Sequence, residues 1–159
     1  MNYQAIRAAI ENPLLAAFGA VSPAVPVYFD NITAVPPNTT TEYVRVNVTF
    51  GITNEPTLTT SLDTARGALI VRVFTEKGRG PARNQQLITT ASSVIETLNS
   101  TPKAPTGVYM RTGAITGPTF SAVDGAPHFV GRLEMPWFAT IVSATGVYEP
   151  DVFELGVFV

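Results

Sequence analysis

Along the first twenty residues, Tyr3, Ile6, Ile10, Leu14 and Phe18 recur at intervals of three or four, the spacing of one face of a helix. Pro13 after Asn12 leaves two readings open, a kink within one helix or a fresh helix capped by the asparagine. The pattern then changes. "VPVYF" (25 to 29) is a short strand candidate, followed by a turn-rich polar stretch. "YVRVNVTF" (43 to 50) alternates, with Val44, Val46, Val48 and Phe50 on one side and Tyr43, Arg45, Asn47 and Thr49 on the other, which predicts a half-buried strand. "ALIVRVFT" (68 to 75) is apolar enough to predict a central strand. Between these two, the polar residues 53 to 64 read as a long connection, uncommon in a compact domain and usually of some use, such as reaching a partner.

A second helical stripe follows: Leu87, Ile88, Ala91, Val94, Ile95 and Leu98, ending before Pro102, with an uncharged polar face of Gln85, Thr89, Thr90, Ser92 and Ser93. Two more strands are predicted at 107 to 116 and 128 to 142, joined by a Gly- and Pro-rich turn region, with Pro136 arguing for an edge or a bulge. The order predicts an α+β fold: a single domain over residues 1 to 159, with two main helices on one face of a mostly antiparallel or mixed sheet of about four or five strands. A C-terminal strand or arm is expected at about 146 to 159.

Composition narrows the function. Hydrophobic residues make up 45% of the 159 and charged residues 14%, with a formal net charge of −2. So little surface charge points to apolar area hidden against copies or partners. Ten Lys and Arg against twelve Asp and Glu give no basic excess of the kind nucleic-acid proteins carry. With no cysteine, disulfides, thiolate nucleophiles and the common structural zinc sites are excluded. No apolar run near the N-terminus is long enough for a signal peptide or membrane span, so synthesis in the cytoplasm is expected.

The candidate chemistry is thin. "VRVFTEKGRGPARNQQ" (71 to 86) runs from strand through glycine loop to helix, the order of a phosphate cradle. Pro81, Ala82 and Arg83 follow Gly80 where a Walker loop needs Lys-Ser or Lys-Thr, and a dinucleotide loop needs a third glycine. Ser121, Asp124 and His128 lie close in sequence, but triads are assembled by folding, and the segment reads as a turn before a strand. Asp30 beside Asn31 is explained by a turn as well as by a loose cation contact. Trp137 in an alternating strand reads as core. No catalytic residue, cofactor or metal is expected.

Charge is unevenly distributed. Arg66, Arg72, Lys77, Arg79 and Arg83 stand against Glu76 alone, a local +4, while Glu134, Glu149, Asp151 and Glu154 are the only charges from 134 onward, a local −4. Two such edges either pair head to tail between copies, which closes rings, or neutralise each other within one subunit. In "VFELGVFV" (152 to 159), Phe153, Leu155, Val157 and Val159 alternate, so the segment must pair within its own sheet or add to a neighbour's.

The N-terminal helix, "VPVYFDN", "YVRVNV", the block "ARGALIVRVFTEKGRGPA" leading into "NQQLITTASSVIETL", and the late aromatic pair Trp137 and Phe138 together resemble the tail terminator (tail completion) proteins of long-tailed bacteriophages, over roughly residues 1 to 142. The resemblance implies a virion protein, not an enzyme: a homohexameric ring that caps the tail tube, ends its polymerisation and offers its other face to the head-side connector. It implies partners in its own copies, the tube protein and the connector or stopper, with no membrane and no sequence-specific nucleic acid. Under it, Arg66, Gly67, Glu76, Lys77, Gly78, Arg79, Gly80 and Arg83, with Glu149, Asp151 and Glu154, are candidates for subunit contacts. Glu55, Leu58, Leu62 and Asp63 are candidates for a loop facing tube or connector. Two alternatives stay open: another tail or neck ring, such as a stopper or tube protein, and a small nucleotide-binding domain.

Overall fold

The computed structural model describes residues 2–33, 41–54, 62–99, 108–122 and 126–142. Helix α1 (Tyr3–Ala20) starts where the Asn2 side chain accepts a 3.0 Å hydrogen bond from the Ala5 amide, satisfying one of the donors a helix N-terminus leaves unpaired. It runs through Pro13 as one helix, giving up the hydrogen bond that proline cannot donate. Ile6, Ile10, Leu14 and Phe18, buried on both sides of that proline, hold the two halves to one core. Asn12 is therefore inside the helix and caps nothing new.

After α1 the chain forms β1 (Val27–Tyr28), β2 (Tyr43–Asn54), β3 (Leu62–Glu76), α2 (Ala82–Leu98), β4 (Val108–Thr112), β5 (Thr116–Ala122) and β6 (His128–Val142). The strand order is β1-β2-β3-β6-β4, with β5 also pairing β6. Only the short β1 runs parallel to its neighbour, so this is an α+β fold with a mixed, mainly antiparallel sheet of six strands rather than four or five.

The extra strands have physical reasons. β5 covers residues that read as a turn because Gly117 and Pro118 sit in it and only Phe120 is even half-buried, so it carries no alternation to detect. Within the polar connection of 53 to 64, the described residues 53–54 and 62–64 are strand: Thr53 pairs Ala65 and Asn54 pairs Thr64, lengthening the β2–β3 pairing. Leu62 and Asp63 thus belong to β3, and Asp63 is only 8% exposed, whereas Glu55 and Leu58 fall outside the described residues. Pro136 lies in a central strand, but on the side facing β4 and β5 it falls in the gap where β4 pairing stops at Trp137 and β5 pairing starts at Glu134. A residue without an N–H is tolerated where no ladder continues.

Both helices cover one face of the sheet. There Val44, Val46 and Val48 of β2, Leu69, Val71 and Val73 of β3, and Leu133, Met135 and Trp137 of β6 meet the apolar stripes of α1 and α2. Trp137 is the largest fully buried side chain and meets Phe50 edge-on at 5.3 Å between ring centroids. Gly67 makes room for this contact: a Cβ there would stand 1.8 Å from the Thr49 carbonyl oxygen and 2.5 Å from Trp137 Cζ2. Packing within the protomer therefore accounts for this glycine.

Two polar devices pin the edges of the core. Asn84, fully buried in the first turn of α2, donates from Nδ2 to the carbonyls of Val73 and Phe129 and to Thr75 Oγ1, tying helix to β3 and β6. At the other side, β1 covers only Val44 and Arg45 of β2, and just beyond it Asp30 accepts from the Val48 amide at 3.0 Å, from Asn47 Nδ2 at 2.6 Å and from Arg7 Nη1 at 2.6 Å. Burial pushes the Asp30 carboxyl up, but hydrogen bonds from Arg7, the Val48 amide and Asn47 outweigh it and hold the group below the usual carboxylate range. Its oxygens are thus engaged by the chain.

Candidate interaction surface

The second face of the sheet has no helix over it among the described residues, and its side chains follow from register. Buried Val44, Val46, Val71, Val73, Leu133 and Trp137 point to the helices, so the residues between them point away. Arg45 of β2 stands opposite Arg72 of β3, and Arg72 stands opposite Arg132 of β6. Three guanidinium-bearing residues thus form one row across three adjacent strands. Six residues along β3, Arg66 stands opposite Phe138, which also stands opposite Arg111 of β4. Between the rows lie Ile70 and Glu134, opposite one another, and beyond the first row Phe74 is flanked by Tyr43 and Val130.

Like charges placed directly opposite on a sheet destabilise it, so each arginine needs somewhere to send its charge. Arg45 Nη2 donates to the Ile32 carbonyl at 3.4 Å, Arg72 Nη1 to Asn47 Oδ1 at 2.8 Å, and Arg132 Nη2 to Glu134 Oε2 at 2.8 Å. Arg66 lies over the Phe138 ring, 5.8 Å from its centroid. Apart from Arg132, neutral acceptors and a ring orient these groups without cancelling their charge. Among the described residues, only Arg132 of the five has a carboxylate partner. Five guanidiniums less the carboxylates of Glu134 and of Glu76, which lies on the same side at the end of β3, leave this face at +3. Burial pushes the Tyr43 phenol up, and neighbouring Arg45 only partly offsets that.

The apolar part of this face is also incompletely covered. Phe138 is 37% exposed, Tyr109 and Ile52 more than half, and Ile70, Phe74 and Val130 are half-buried. Tyr43 stacks on Phe74 at 4.4 Å, and His128 meets both rings edge-on, with Nε2 3.1 Å from the Thr41 carbonyl oxygen. His128 is thus the aromatic corner where β6 begins.

The remaining residues singled out in the sequence are dispersed. The run from Arg66 to Arg83 does not make one positive edge: Arg66 and Arg72 lie on the uncovered face, Lys77 and Arg79 in the loop before α2, and Arg83 on the helix itself. Arg83 Nε donates to both oxygens of Glu42 and its Nη atoms to Gln86 Oε1 and the Pro23 carbonyl, so its guanidinium is engaged within the protomer. Arg79 pairs with Glu76 at 3.0 Å on the surface. Gly78 and Gly80 adopt φ of 88° and 79°, which lets the chain turn from β3 into α2. Glu149, Asp151 and Glu154 fall outside the described residues. Arg45, Arg111 and Arg132 were not candidates in the sequence. The signal that finds Arg45 was the polar side of its alternating strand, but nothing short of strand register brings it beside Arg72 and Arg132.

This fold has solved counterparts. One solved structure, 23% identical, matches over 87% of this chain and 96% of its own with a TM-score of 0.57, a likeness of fold. Comparison with curated proteins finds no match. A family model described as "Phage tail terminator protein" matches residues 5–97, which hold nearly all of α1 and α2 and the β1–β2–β3 half of the sheet. That match spans more than half of the chain, and with it this protein belongs to the phage tail terminator family, a structural rather than enzymatic family of the virion tail.

Proposed function

We propose that the protein caps the phage tail tube as a ring of its own copies, most simply a hexamer, ends tube polymerisation and offers its far side to the head-side connector. The family match over residues 5–97 carries this reading. A terminator needs no bond made or broken. It needs one surface that fits the tube end and an opposite surface unlike the tube, so that the next tube ring finds no site. Several weak contacts engaged at once through a ring give tight capping by multivalency. A sheet face with unpaired positive charge and half-covered apolar side chains suits a protein whose work is contact, because complementary charge sets register and partner choice.

Deleting the gene from the phage tests the reading: tails of abnormal length that do not join heads are expected. Normal-length, head-joined tails in the deletion overturn it. Native mass spectrometry of the purified protein is expected to show a ring, alone or once tube ends are supplied.

A further inference from the structure

We infer that the uncovered arginine face is the docking site of the chain's own acidic C-terminal segment, residues 149 to 159. Independent observations meet here. The first is charge: the face carries five arginines against two carboxylates, Glu76 and Glu134, and residues 143 to 159 carry Glu149, Asp151 and Glu154 with no Lys or Arg. The second is reach. The described chain leaves the sheet at Val142, the end of β6. Phe138, between Arg66 and Arg111, lies four residues back along that strand, about 13 Å, and Arg132 ten residues back, about 33 Å. Seven residues from Val142 to Glu149 span at most about 25 Å, and twelve to Glu154 at most about 43 Å.

Glu149 and Asp151 therefore reach the Arg66 and Arg111 row with slack for a turn, and the residues after them have the length to continue to the Arg45, Arg72 and Arg132 row. An extended segment sets Glu149 and Asp151 on one side, two residues or about 7 Å apart, so that both carboxylates lie over the row of Arg66 and Arg111. Apolar chemistry matches too: Phe153 and Leu155 share the side of Glu149 and Asp151 and follow them along the chain, as Ile70 and Phe74 follow Arg66 along β3. A segment tethered so close acts at an effective concentration on the order of millimolar, which favours the chain's own face over a second copy's. This assignment stands apart from the capping role and does not require a ring.

Arginine labelling with phenylglyoxal, mapped by mass spectrometry, tests it on three proteins: the full chain, the chain ending at residue 145, and the full-length variant E149Q/D151N/E154Q, which keeps the length and the apolar pattern. In both altered proteins, labelling of Arg66, Arg72 and Arg111 is expected to rise roughly fivefold, because the reagent samples the uncovered population. Arg83, held by Glu42, is expected to stay unchanged, which also reports that the fold is intact. Equal labelling of all three proteins overturns the inference. Protection that disappears on dilution assigns the face to a second copy and overturns it. So does binding of duplex DNA by the full chain at physiological salt, since the face is then open to phosphate.

Discussion

Trp137 and Phe138 are neighbours in β6, yet they belong to opposite physical regimes. Trp137 lies under the helices at 1% exposure against Phe50, in a slot that Gly67 leaves open, and Phe138 lies on the uncovered face between Arg66 and Arg111. The same division runs through the whole sheet. One face is a dry, nearly all-aliphatic core held by shape. The second places arginine opposite arginine and leaves large apolar side chains half-covered, an arrangement that does nothing for the stability of the sheet itself. What one face spends on folding, the second reserves for contact.

The largest effect should come from Trp137→Ala, which empties the centre of the core and is expected to cost about 3–5 kcal/mol in urea unfolding. Phe138→Ala next to it should cost about 1 kcal/mol or less. Equal losses would erase the distinction between the faces. Asp30→Asn should rank next, at about 1–3 kcal/mol, because it weakens the acceptor that holds Arg7, Asn47 and the Val48 amide. The sign of its pH dependence follows from a folded-state pKa below the unfolded one: the stabilisation is complete above about pH 4 to 5 and is lost as pH falls through the folded value. The gap between wild type and Asp30→Asn, followed by urea titration from pH 7 to pH 2.5, should therefore close in acid. A gap that stays constant to pH 2.5 would contradict the sign.

Arg72→Leu sharpens the comparison in the opposite direction. It removes the middle charge of the row, so folding stability should hold or rise by up to about 1 kcal/mol, while contacts that depend on the face weaken. Smallest of all, Arg79→Ala breaks only an exposed pair with Glu76 and should stay within about 0.5 kcal/mol by thermal unfolding.

Much of the covered face was legible beforehand, because a buried side must repeat with the period of its element. Ile6, Ile10, Leu14 and Phe18, the valines of β2, and Leu87, Ile88, Ala91, Ile95 and Leu98 all announce themselves by spacing and are all buried. Asn84 did not: a fully buried amide that binds β3 and β6 looks, in sequence, like any polar residue opening a helix. β5 was missed for want of alternation, and the strand residues at 53–54 and 62–64 because polar residues paired across strands resemble a loop. The candidate surface was the least legible part. A count of charges along the chain grouped Arg66, Arg72, Lys77, Arg79 and Arg83, whereas folding took Arg83 to Glu42 and put Arg72 beside Arg45 and Arg132.

The chain's periodicity alone was enough for two helices, the main strands and their buried sides, since local geometry forces a residue's side of an element to follow from its position. Which charges become neighbours is a matter of strand register. Arg45, Arg72 and Arg132 are 27 and 60 residues apart, and only pairing β2 with β3 and β3 with β6 sets them in one row. Coulomb forces act through distance in space and not along the chain, so that row exists only in the folded molecule.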